Sequence, residues 1–218
     1  MLVPVARHGS VEQFDLVPSK IIGIGVNYRA HAVEMGKGLP EEPLMFLKPC
    51  SALLPDGFPI ERPSGYDRVD YEGELGVVIG ARARRVPRER ALDFVLGFTC
   101  INDVTVRDLQ KKDTQWTRAK GFDTFCPLGP RIVAGLDPSA LRIVTRVNGQ
   151  VRQDSSTSDL IFDVPTLIAF VSAHMTLEVG DVISTGTPSG VGNLEIGDVV
   201  EVEIEGIGTL RNPVIARP

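Results

Sequence analysis

The 218-residue chain is short of cysteine, of histidine and of long apolar runs, and each shortage removes a class of function. Its three cysteines, Cys50, Cys100 and Cys126, show neither Cys-x-x-Cys nor Cys/His spacing. That argues against a disulfide framework and a zinc knuckle, and leaves three reduced, buried thiols as the expectation. No apolar stretch reaches the about 20 residues of a membrane span, and the start, MLVPVARHGS, lacks the apolar core of a secretion signal. The expectation is a cytoplasmic protein without a membrane partner. Positive charge is scarce too: 23 Lys and Arg stand against 28 Asp and Glu, for a formal charge of -5, which argues against a nucleic-acid partner. The basic cluster Arg82, Arg84, Arg85, Arg88 and Arg90 sits amid mixed charge and reads as a solvated turn region.

What the chain does have is 43% hydrophobic residues, enough to bury a core over a length that suits one domain. Glycine and proline are frequent but dispersed, a pattern of short strands and tight turns. Strands are expected over 20–26, 75–80, 94–101, 141–147, 181–185 and 198–204. In the last, Val200, Val202 and Ile204 alternate with Glu201, Glu203 and Glu205, as in a half-buried strand. Asn148-Gly149 predicts a type I′ hairpin. Helices are expected over 27–36, 106–117 and 164–175, the last capped by Asp163 with Pro165 in its first turn. LEVGDVI at 177 returns as LEIGDVV at 194, which reads as a repeated turn leading into a strand of an antiparallel sheet. The class is mainly β with short helices (α+β), without the regular strand-helix alternation of a parallel fold.

DYEGELGVVIG, residues 70–80, raises the functional question. Strand alternation puts Tyr71, Leu75, Val77 and Ile79 on one face and Glu72 with Glu74 on the other. Two adjacent like charges mark either a solvated face or a cation site. Asp103, in GFTCINDVTVRDLQ, falls where a strand ends, and reads either as a helix cap or as a third ligand. Three carboxylates without thiolates make a hard-oxygen site suited to Mg²⁺, Mn²⁺ or Ca²⁺. In NYRAHAVEMG, His31 and Glu34 are one helical turn apart, either a surface pair or a general base oriented by its carboxylate. Arg107, Gln110 and Lys120 follow Asp103 closely and would suit an anionic substrate, though each alone reads as a surface residue. TGTPSGVG, residues 185–192, lacks the Gly-Lys-Ser/Thr of a phosphate loop, but its amides and the Thr187 hydroxyl offer a carboxylate site. GIGVNY at 23 misses the third glycine of a dinucleotide fingerprint.

The joint occurrence of NYRAHAVEMG, PLMFLKPCSALL, DYEGELGVVIG, GFTCINDVTVRDLQ, RAKGFDTFCPLGP and TGTPSGVG, in this order from about Ile21 onward, resembles the fumarylacetoacetate hydrolase family. The resemblance implies a mixed β-sandwich roll, a single catalytic domain over 1–218 with an N-terminal extension at 1–19, a lid over about 27–42, and a homodimer. It implies Glu72, Glu74 and Asp103 as ligands for Mg²⁺ or Mn²⁺, and His31 with Glu34 as a base dyad. Lys120 and Gln110 then face the substrate's keto or enolate oxygen, Arg107 and Thr187 contact its carboxylate, and Tyr28 and Lys48 line the same cavity. The compact length resembles the acylpyruvate hydrolase and oxaloacetate decarboxylase branch. The implied activity is hydrolysis of a carbon-carbon bond in a 2,4-dioxo acid such as fumarylpyruvate. Oxaloacetate decarboxylation, hydroxy-diene dioate isomerisation, and a binding protein that has lost catalysis are the alternatives. Gly73 stands where the family has a bulkier residue, which is expected to loosen the strand of the two glutamates. Gly121 stands where serine is common.

Overall fold

The computed structural model describes residues 1–7, 9–36 and 38–218. Two sheets and one helix enclose the main core. A nine-stranded sheet runs in the order Ser10–Asp15, Leu2–Arg7, Cys126–Val133, Val95–Asn102, Gly73–Ile79, Val182–Ser184, Ile21–Gly25 and Leu44–Lys48, with Leu53–Pro55 added beside Cys126–Val133. A five-stranded sheet, from Gln150–Ser156 through Arg142–Val147, Val199–Ile204 and Gly208–Ala216 to Ile60–Arg62, covers one face. Leu75, Val77 and Ile79 of the first sheet meet Ile143, Val202 and Ile204 of the second and Leu167, Ile168 and Val171 of a helix. Pairing is mixed, for Val182–Ser184 lies antiparallel to Gly73–Ile79 and parallel to Ile21–Gly25. This is the expected mainly β class with few short helices.

Local chemistry explains most elements. Helix α4, Val164–His174, follows its Asp163 cap, whose carboxylate accepts from the Thr166 amide at 3.0 Å, with Pro165 in the first turn. Asn148 and Gly149 take φ 53° and 76° and join the antiparallel strands Arg142–Val147 and Gln150–Ser156, the expected type I′ hairpin. The echoed segments form the same turn twice. In each the aspartate amide donates to the glutamate carbonyl, the aspartate carboxylate accepts from the glutamate amide at 2.8 Å, and a glycine (Gly180, Gly197) takes positive φ. Three expectations change. The helix expected over 106–117 is two, α2 (Arg107–Lys112) and α3 (Thr117–Lys120), broken by a turn at 113–116. Arg118 folds back on Asp113 there and Trp116 turns inward. Helix α1 covers only Arg29–Glu34. Cys50 is exposed, whereas Cys100 and Cys126 are buried.

Residues 1–19, apart from His8, which lies outside the described residues, include the hairpin of Leu2–Arg7 and Ser10–Asp15, whose first strand pairs in parallel with Cys126–Val133. Asp181 ties the residues after this hairpin to the sheet, accepting from the amides of Ser19 and Lys20 and from the Lys20 ammonium at 2.5 Å. The arginine cluster is exposed and pairs locally, as Arg82 does with Glu178 and Arg90 with Asp93. Among the described residues no helix is long and apolar enough to cross a membrane.

Burial pushes Asp181 up, but the Glu178 amide, the Lys20 ammonium and the Ser19 hydroxyl outweigh it and hold the carboxyl below the usual aspartate range. A depressed folded pKa stabilises above the unfolded value of about 3.9 and loses that contribution as pH falls through the folded one. Asp181→Asn is expected to cost about 1–3 kcal/mol at pH 7, read by denaturant melting, and to flatten the acid limb of stability below about pH 4.

Candidate active site

The strand carrying the two glutamates is buried on both faces, which overturns the solvated-face reading. Leu75, Val77 and Ile79 enter the core between the sheets, Val78 enters a second cluster on the opposite side, and Glu72 and Glu74 are 5% and 1% exposed. Charges in such a place need partners. Register brings the third acid to them: Gly73 pairs with Asn102 across the antiparallel ladder, so Asp103 falls beside Glu72 and its amide donates to the Glu72 carbonyl at 2.8 Å. The Asp103 carboxylate accepts from Lys48 and Lys120, both at 2.5 Å, and caps no helix; α2 starts four residues later. One ligand oxygen from each of Glu72, Glu74 and Asp103 lies within 4.8 Å of the others.

The three acids are not equivalent. Glu72 accepts from Lys120 and from the Arg107 guanidinium, each at 2.7 Å. Against the burial that would raise it, Lys120 and Arg107 hold the Glu72 carboxyl down at about 2. Glu74 meets only neutral donors, the Ser184 hydroxyl at 2.5 Å and the Gly186 amide at 2.8 Å, both on Oε2. Burial, then the charges of Asp103 and Glu72, push it up to about 8. Its Oε1 makes no hydrogen bond among the described residues, and Glu74 lines the cavity. A hard-oxygen set with a free oxygen on its least compensated member fits a divalent ion, and Lys120 already places an ammonium between two of the acids.

The surrounding cavity is narrow, about 20 Å³, roughly the room of one water. Glu72, Glu74, Arg107, Gln110, Lys120 and Thr187 line it, with His31 from α1. The His31 Nδ1 sits 3.0 Å from the Glu34 carboxylate, which leaves Nε2 as the nitrogen without a bonded partner among the described residues. Arg107 is fixed by Asp70, Glu72 and Gln110, so its charge is positioned before any ligand arrives.

Three expectations are revised here, those for Tyr28 with Lys48, for the glycine-rich loop's amides and for Gly73. Tyr28 and Lys48 lie behind the cavity lining: Lys48 holds Asp103, and Tyr28 is fully buried with a hydroxyl that has no partner among the described residues. The glycine-rich loop does bind carboxylates through its amides, but they are the protein's own, Glu74 through Gly186 and Glu34 through Gly190 at 3.2 Å. Thr187 donates to the Gly73 carbonyl and accepts from Gln153, so its hydroxyl is a brace for the acid strand. Gly73 does not loosen that strand. A Cβ there would lie 2.1 Å from the Thr145 hydroxyl, and the Gly73 amide is gripped by Gln153 at 3.0 Å. Gly121 is equally confined, with the Thr117 carbonyl 2.3 Å from a built Cβ. Of the lid expected over 27–42, Lys37 lies outside the described residues.

Ser184, Gln153, Asn102 and Asp70 were not anticipated. Asn102 accepts from the Glu72 amide at 2.9 Å, and its position beside Asp103 at the strand end was the one available signal. Asp70 opens the DYEGELGVVIG segment itself, two residues before Glu72, whereas Gln153 and Ser184 come from strands far along the chain and belong to no local motif.

Residues 20–215 match the family model of the fumarylacetoacetate (FAA) hydrolase C-terminal domain. The chain is 46% identical over 211 residues to oxaloacetate tautomerase YisK of Bacillus subtilis, covering 90% of this chain and 70% of that protein. The fold matches 2-hydroxyhepta-2,4-diene-1,7-dioate isomerase from Mycobacterium marinum with a TM-score of 0.87 at 44% identity, over 97% of this chain and 86% of that one. It matches fumarylpyruvate hydrolase from Pseudomonas aeruginosa, solved with Mn²⁺ and pyruvate, with a TM-score of 0.89 at 32% identity, over 99% and 97%.

Because the Glu74 carboxyl must ionise to act as a ligand, ion uptake at pH 7 is expected to release a proton, and affinity to tighten as pH rises to about 8 and level off above it. Calorimetry with Mg²⁺ or Mn²⁺ in buffers of different ionisation enthalpy reads both effects. Gly73→Val is expected to cost about 1–3 kcal/mol in denaturant melts, because the strand has no slack for the added atoms.

Proposed function

The chain belongs to the fumarylacetoacetate hydrolase family, and from that premise we propose that it catalyses keto-enol proton transfer on a short 2-oxo dicarboxylic acid of the oxaloacetate type. The observation that carries this reading is the His31–Glu34 pair set against the acid cluster across a cavity of about 20 Å³. On the far wall Glu72, Lys120 and Arg107 are committed to one another, and Glu74 accepts on Oε2 from the Ser184 hydroxyl and the Gly186 amide, which keeps its Oε1 for a divalent ion. His31 is the group left to carry a proton. The 46% identity to an oxaloacetate tautomerase supports the same choice.

The protein's own residues divide the work. Arg107 offers a fixed charge to the substrate carboxylate, and Gln110 and Lys120 offer donors to its 2-oxo oxygen. His31 Nε2 takes the proton from the carbon next to the 2-oxo group, leaving an enolate whose charge Lys120 and Gln110 stabilise, and hands that proton to the enolate oxygen to give the enol; the reverse direction runs the same transfer backward. Glu34, on Nδ1, fixes the tautomer and stabilises the imidazolium. The Gly190 amide holds Glu34 in place and ties the lid to the glycine-rich loop. A divalent ion among Glu72, Glu74 and Asp103, Mg²⁺ or Mn²⁺, would supply Lewis acidity toward the substrate's oxygens.

Hydrolysis of a 2,4-dioxo acid is the second reading, favoured by the whole-length match to fumarylpyruvate hydrolase. It uses the same histidine on a water instead of a carbon-bound proton. It therefore needs the lid to leave space for that water.

His31→Ala is expected to lower turnover of enol-oxaloacetate by about 10²–10⁴-fold while divalent-ion binding persists. The assay follows enol absorbance in the ultraviolet, with acetylpyruvate and fumarylpyruvate in parallel. Wild-type turnover in the variant would remove His31 from the reaction. Loss of dioxo-acid absorbance with pyruvate release, and none of tautomerisation, would move the protein to the hydrolase reading.

A further inference from the structure

GIG at residues 23–25, which fails as a dinucleotide fingerprint, has a different use. On the strand Ile21–Gly25 alternate residues share a face, and Gly23 pairs with Phe46 and Gly25 with Leu44 of the neighbouring edge strand. A Cβ at Gly23 would lie 2.1 Å from the Phe46 ring, and one at Gly25 would lie 2.9 Å from Cζ3 of Trp116. Both glycines are places where an aromatic ring lies directly on the backbone. The two rings meet edge to face, 5.4 Å between centroids, and the Lys120 ammonium stands 5.0 Å over Phe46. Trp116 and Phe46 thus form one aromatic partition, fixed to the lysine of the acid cluster at one end.

That partition has a cavity on each side. Trp116 lines the catalytic cavity of about 20 Å³ together with Gly25, and it also lines an open groove of about 430 Å³ bounded by Leu44–Leu47 and Thr114–Thr117. The turn at 113–116 that interrupts the expected helix is what delivers the indole to this position.

We propose that Trp116 is the specificity-determining wall of the site: it restricts the substrate to compact 2-oxo acids, and the groove behind it would receive an apolar acyl tail once the indole is removed. This deepens the proposed function and rests on it. Each methylene excluded from an apolar pocket is worth about 10–200-fold in kcat/KM, so the wall should show as a steep dependence on chain length.

The test compares Mn²⁺-loaded wild type, Trp116→Phe and Trp116→Ala on oxaloacetate and on a series of 2,4-dioxo acids with unbranched acyl tails of two to eight carbons. Wild type is expected to lose at least about tenfold in kcat/KM between the short and long members. Trp116→Ala should reverse that ratio by a similar factor, chiefly in KM, and Trp116→Phe should fall between them. An unchanged ratio in Trp116→Ala would overturn the proposal. Because this is the chain's one tryptophan, its fluorescence reports on the wall without turnover. Titration of the wild type with oxalate and with the same dioxo acids should change that emission, with affinity falling as the tail lengthens. If no acid is turned over but the fluorescence affinities follow tail length, the proposed reaction fails and the wall stands. If tail length leaves affinity unchanged, the wall fails whatever the reaction.

Discussion

Burial of three carboxylates at one point is the constraint on which the rest of this structure depends. Glu72, Glu74 and Asp103 lie within 4.8 Å of one another, each at most 5% exposed. Like charges that close, taken out of water, repel strongly. The protein answers with cations on two of them, Lys120 and Arg107 on Glu72 and Lys48 with Lys120 on Asp103, and with neutral donors alone on Glu74. That asymmetry leaves Glu74 as the one of the three without a hydrogen-bonded cation among the described residues, and so the one that a divalent ion would compensate most.

Much of the fold follows from holding those acids still. The ladder between Gly73–Ile79 and Val95–Asn102 sets Asp103 beside Glu72, and Val182–Ser184, on the other side, brings Ser184 and Gly186 to Glu74. From the second sheet, Gln153 reaches across to the Gly73 amide and to Thr187, locking the acid strand to the glycine-rich loop. The same loop reaches α1 through the Gly190 amide and Glu34. Hydrogen bonds thus run continuously through the acid site, the glycine-rich loop and α1.

The parts of the site legible in the sequence are those with a local signature. Glu72 and Glu74 stand out because a strand pattern puts two acids together, and His31 and Glu34 because one helical turn separates them. Asp103 is visible as a polar residue ending an apolar run. The supports are invisible for a physical reason: Gln153 and Ser184 act 80 and 110 residues from their partners, through strand pairings that no local pattern encodes. Tyr28 shares its motif with His31 and Glu34, and Lys48 lies in a motif of its own, but motif membership does not say which side chain reaches the cavity and which supports it from behind. The GIG segment carries a clear pattern whose cause, two aromatic rings from distant segments, becomes visible only in three dimensions.

The most direct test of the central claim is an anomalous difference map from crystals grown with Mn²⁺ and oxalate. One strong peak is expected, bounded by carboxylate oxygens of Glu72, Glu74 and Asp103, with the Lys120 ammonium moved off at least one of them and oxalate lying between the peak and His31. A peak at any other group of residues, or none at saturating Mn²⁺, would contradict it.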